Sequence, residues 1–214
     1  MDRSSSPQPP NPNPDRRDEL MQWWFGDEPF ETDSKAKIKR WFMGGDTVDA
    51  EIKARFGDLF EAARSGSLDS WSATAHGTLG LLLLLDQFSR SLHRGTADAF
   101  ACDPRARELV AQGLDQGHDQ ALGPIERCFF YMPLMHSESL EDHDRAIALF
   151  EALVASQPEQ TRDAYAVFLS YSHQHRDTIV RFGRYPHRNH ILGRTSTPQE
   201  KAYLDGGAAT YGQK

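Results

Sequence analysis

Apolar positions recur at helical spacing along almost the whole chain. In DRRDELMQWWFG (15–26), Leu20, Met21, Trp24 and Phe25 fall on one face, and Gly26 stops the run. In 47–66, Ile52, Phe56, Leu59, Phe60 and Ala63 form a second stripe, with Gly66 placed as a C′ residue. A third helix, 72–95, carries five consecutive leucines (81–85), which cover its full circumference and predict a central, buried element. Asp103 followed by Pro104 reads as an N-cap and first helical residue opening 103–117. Helices over 123–132, 139–157 (with a Ser139-x-x-Asp cap) and from Pro158 to about 184 follow. Thr197-Pro198-x-Glu200 is a complete capping box for a last helix ended by Gly206-Gly207. No alternating run bounded by turns predicts a strand. The pattern is all-α.

Ala146, Phe150, Leu153 and Pro158 repeat the second-helix spacing of a tetratricopeptide unit, but Pro133 breaks the matching first helix. One half-repeat predicts antiparallel helix pairs in a tetratricopeptide-like right-handed stack, not a regular array.

Composition changes this picture little. The 214 residues suit one domain over 15–206, between a proline-rich disordered lead-in (1–14) and a flexible tail (207–214). The leucine run is too short to span a bilayer, and no secretory signal is read. Two cysteines without a CxxC fit a reducing cytoplasm. With net charge −7 and a pI near 5.7, nucleic acid is not an expected partner.

Charge is unevenly placed, however. Residues 173–194 hold four histidines and five arginines against one acid, Asp177. Arg181 and Arg184 share a helical face. Gly183 and Pro186 then break the helix and leave His187, Arg188 and Asn189 in a turn, with Arg194 just before the capped helix. Guanidinium forks suit carboxylate or phosphate, so this segment reads as an anion site or as a clasp for the acidic remainder. A second polar cluster, Gln87, Arg90 and Arg94, emerges from the leucine helix on one stripe with Leu83. It forms either a pocket wall or, with Asp86 paired to Arg90, a solvated helix end. The expected arrangement folds 181–195 over that end and towards His136–Glu138, leaving surplus positive charge with only Asp86 and Glu138 nearby. His136-x-Glu138 lacks the companions of a metal motif, and His173 and His175 point apart on a helix. Neither a metal nor a cofactor is expected. No nucleophile elbow, Walker loop or GxGxxG is present.

Four stretches together, LLLLLDQFSRSLHRGTADAFACD (81–103), RCFFYMPLMHSESLEDH (127–143), RFGRYPHRNHILGRTSTPQE (181–200) and WWFG (23–26) with KRWF (39–42), resemble the mostly bacterial family called domain of unknown function 924. The resemblance implies a tetratricopeptide-like helical fold and no particular activity. Ser89 and Ser91 stand where that family usually has Pro and Asn, which predicts a straighter helix 72–95. Two functional readings stay open. One is a binding module whose Gln87, Arg90, Arg94, Arg181, Arg184, His187, Arg188, Asn189 and Arg194 take an anionic small molecule or an acidic peptide. The other is an enzyme on an anionic substrate with His136 or His187 as acid/base, Glu138 being a further candidate, and the arginines stabilising charge.

Overall fold

The computed structural model describes residues 14–208; most of the expected lead-in and tail lie outside that range. Nine helices, α1 to α9, and no strand occur among the described residues. They are α1 (Pro14–Phe25), α2 (Ser34–Met43), α3 (Gly45–Arg64), α4 in three parts (below), α5 (Asp103–Asp115), α6 (Pro124–Met135), α7 (Leu140–Ala155), α8 (Glu159–Phe182) and α9 (Pro198–Asp205). Short 3-10 turns link several of them.

The leucine helix α4 is the centre. It runs Ala75–Leu82, then a π-helical turn Leu83–Phe88, then Ser89–Leu92. Leu79 and Leu81 to Leu85 are all buried, as the absence of a polar face requires. The straight, regular helix expected from the loss of proline does not form. Ser89 N–H instead donates to Leu84 O five residues back, so the backbone widens by one residue per turn. That widening turns Asp86 inward, where it is 1% exposed.

Three other helix termini differ from expectation. The α6 helix runs through Pro133 to Met135, three residues beyond the predicted stop, within a wholly buried stretch, Cys128–Met135. Asp103 is not an N-cap. Cys102 holds that position, and the Asp103 carboxylate points into the protein at two arginines. Ser139 stands at the N-cap of α7 without a side-chain cap bond.

The half-repeat spacing does its packing job. Ala146, Phe150 and Leu153 are each fully buried where α7 packs on α8, and Pro158 caps the start of α8. The Thr197–Glu200 capping box forms as predicted, with Glu200 N–H donating to Thr197 Oγ1 at 3.2 Å and Thr197 N–H to Glu200 Oε2 at 2.7 Å. Trp24 and Phe25 of the early WWFG lie in the core against Trp41 and Phe129.

Candidate functional site

Gly183 ends α8 in the left-handed conformation (φ 69°), which a side-chain-bearing residue rarely adopts, and its N–H closes the helix on Ile179 O. The chain turns there and lays 184–197 across the C-terminal end of α6. Its anchor is Tyr185, fully buried, whose hydroxyl donates to Met135 O and whose N–H donates to Glu138 Oε1 at 2.8 Å. Arg194 completes the anchor with a two-pronged bond to Glu138 (2.8 and 3.0 Å) and a third to Tyr185 O.

This fold-back brings Arg188 beside α4 and His136. The Arg188 guanidinium lies between the rings of Phe100 and Tyr185, 4.5 Å from each centroid. It donates to His136 O at 2.9 Å and, at a long 3.4 Å, to Asp103. Asp103 is held more closely by Arg90 (3.1 Å), which also reaches the Asp86 carboxylate at 3.3 Å. One buried and one half-buried arginine therefore face two buried aspartates. The shares are unequal. Arg90 has both carboxylates and is held more firmly charged, whereas burial and then the neighbouring Arg90 depress Arg188.

His136, at the C-cap of α6, completes the cluster. Its Nδ1 lies 2.8 and 3.0 Å from the two Asp86 oxygens. A carboxylate can only accept, so Nδ1 carries the proton and the lone pair sits on Nε2. Gln87 Nε2 donates to the same carboxylate at 2.6 Å. Burial raises the Asp86 carboxyl, but Arg90 and His136 outweigh it and keep it ionised. Burial is also the first cause holding His136 below its ordinary value, with Asp86 opposing. Its imidazole is neutral at pH 7.

These groups form one wall of a cavity of about 290 Å³. Gln87, Arg90, His136, His175, His187 and Arg188 supply the polar wall. Trp41, Phe42, Met43, Met132, Met135 and Phe168 face it as the apolar wall. Burial, followed by the adjacent arginine or imidazole charges, pushes both His175 and His187 down to about 3. His175 Nδ1–H donates to Tyr171 O at 2.7 Å.

Of the residues predicted for ligand binding, Gln87, Arg90, Arg94, His187 and Arg188 line this cavity. The others are brought near but engaged elsewhere. Arg184 is bound two-pronged by Glu200 (2.7 and 2.9 Å), Arg181 lies over Phe182 and Tyr203, and Asn189 is buried with its Nδ2 on Ser196. Arg94, though at the cavity, is paired with Asp49 at 2.7 and 2.9 Å. The expected surplus of positive charge is thus largely cancelled by Asp103, Glu200 and Asp49, carboxylates that the sequence alone did not connect to it. Glu138 serves the anchor, not the histidine. No group of three or more His, Cys, Asp or Glu side chains suited to a metal occurs among the described residues.

Sequence reasoning missed Asp103, His175 and the aromatic wall. A signal for His175 existed. It continues the buried stripe Tyr165, Phe168 and Ser172 of α8, where an apolar residue is the norm.

An all-α protein with a part-enclosed pocket lined by histidines and arginines is the class that fold and site define. The chain belongs to the family of bacterial proteins of unknown function called DUF924, whose model matches residues 20–208. It is similar to a solved protein of unknown function from Agrobacterium tumefaciens, at 37% identity over 89% of this chain and 97% of that one, with a TM-score of 0.75. No curated protein is significantly similar to it. No helix among the described residues is long and apolar enough to cross a membrane.

Proposed function

We propose that the protein binds a small amphipathic anion, with a carboxylate or similar group at Arg188 and an aromatic or aliphatic body against Trp41, Phe42 and Phe168. The observation that carries this reading is Arg188 itself: a buried cation in the cavity wall, its one carboxylate partner among the described residues at 3.4 Å and shared with a second arginine. An anion in the cavity would complete its neutralisation in a partly desolvated setting, where charge pairing is strongest. The cavity volume suits a small molecule better than a peptide. Buried free thiols at Cys102 and Cys128 are compatible with a cytoplasmic setting.

Phenylbutyrate is a suitable probe, read through quenching of Trp24 and Trp41, which both line the cavity. Saturable binding is expected. Arg188→Gln should weaken it about tenfold or more, the loss of one charge-assisted hydrogen bond. Arg184→Gln, which breaks the Glu200 pair outside the cavity, should leave it unchanged. Phe42→Ala, at a half-exposed wall position, should weaken it by removing apolar surface from the cavity. Equal affinity in wild type, Arg188→Gln and Phe42→Ala would refute the assignment.

A further inference from the structure

We propose that this pocket is catalytic: His136 is a general base that activates water to hydrolyse a carboxylic ester with an apolar acyl group. The inference rests on the binding reading and adds a reaction to it. Its basis is the arrangement around His136. Asp86 and His136 are 50 residues apart in sequence, yet the π turn of α4 and the C-cap of α6 place them in a two-oxygen contact at 2.8 and 3.0 Å. The contact fixes the tautomer that leaves Nε2 with its lone pair, and His136 lines the cavity. A buried aspartate orienting a histidine in this way is the base half of a hydrolytic site.

The rest of the wall supplies what such a base requires. Arg188 is bonded to the main-chain oxygen of His136, so a cation stands next to the imidazole. It is the group at which a developing oxyanion would be stabilised. Trp41, Phe42 and Phe168 offer an apolar surface for the acyl chain. The hydroxyl of Tyr185 is committed to Met135 O, and no serine, threonine or cysteine is hydrogen-bonded to His136 among the described residues. Water is therefore the nucleophile. A histidine held below its ordinary basicity is a poor base for a carbon-bound proton but adequate for water, whose proton moves in concert with attack.

The step balances without a redox partner. Water oxygen bonds to the acyl carbon as its proton passes to Nε2, and the carbonyl electrons move onto the oxygen beside Arg188. When the carbonyl re-forms, the bond to the alcohol oxygen breaks and that oxygen takes the proton from Nε2. An acid and an alcohol leave, and His136 is neutral again. Arg188, having stabilised the oxyanion, also fits the carboxylate product.

The probe is p-nitrophenyl butyrate, followed by nitrophenolate release. Saturable turnover is expected from the wild type, with kcat about 100-fold lower in His136→Gln while phenylbutyrate binding persists. Asp86→Asn, a positioning change, should lower kcat more than it raises KM. The kcat–pH profile of the wild type should reach its plateau below pH 6.5, because burial depresses His136, whereas accessible surface histidines rise around that value. Phenylbutyrate binding without ester turnover, or equal rates in wild type and His136→Gln, overturns the catalytic assignment and leaves the binding reading standing. A profile that still climbs through pH 6.5 and above also overturns it, since an exposed imidazole is then responsible. Loss of both binding and turnover refutes both.

Discussion

Asp86 is the residue on which the site turns. It is buried at 1% exposure and receives Gln87, Arg90 and His136 at once. A buried carboxylate is tolerated only with such partners, because desolvation alone would neutralise it. Asp86→Asn keeps the shape but removes the charge, leaving Arg90 to share Asp103 with Arg188. Unfolding in urea should show a loss of roughly 3–5 kcal/mol, the range for breaking a buried ion pair. A loss below 1 kcal/mol would mean that Asp103 alone neutralises Arg90. Arg188 illustrates the opposite situation: its sandwich between Phe100 and Tyr185 supplies packing and a cation–π contact but incomplete charge pairing.

At the scale of elements, two devices position these side chains. The π turn in α4 re-aims Asp86, and it lies within the motif LLLLLDQFSR, where an ideal helix would be read. The second device is the strap 183–197, held at one end by Gly183 and at the other by the α9 capping box. Glu200 belongs to both structures, since it caps α9 and binds Arg184. Thr197→Ala should therefore cost about 1 kcal/mol of stability and also speed hydrogen exchange across 187–196. Unchanged exchange in that loop would show that Arg184–Glu200 and Arg194–Glu138 hold the strap without the cap.

For the whole molecule, the main consequence is a dependence of stability on acidity. His175 and His187 are held down to about 3, against an ordinary 6.5, chiefly by burial. Between those values the unfolded chain binds protons that the folded one refuses. Stability is then full above pH 6.5 and falls as pH drops towards 3. Each histidine adds a slope of up to about 1.4 kcal/mol per pH unit. Denaturation midpoints measured from pH 7 to 4 should fall accordingly, and more shallowly in His187→Gln. Equal slopes in the two proteins would place the acid sensitivity elsewhere. The legibility of the fold has the same origin in range. Helix stripes, the α9 capping box and the Gly66 and Gly183 stops are set by contacts within a few residues, which spacing alone reveals. Leu82 and Leu85 of the leucine run and Phe150 of the half-repeat spacing are legible as core for that reason, and all are buried. The arginine-rich segment could be seen as either clasp or site, but not how it divides between them. Arg184, Arg194 and Arg94 went to Glu200, Glu138 and Asp49, while Arg188 went to the cavity. Asp86 meets His136 across 50 residues and Asp103 meets Arg188 across 85. Such pairings are chosen by how helices pack and by where a π turn widens the backbone, since a buried charge takes whichever opposite charge the packing brings within reach. The sequence alone determined most of the helices and their buried faces, though not α2 (Ser34–Met43), the π turn of α4 or the ends of α5 and α6, and only the tertiary structure decided which carboxylate met which base.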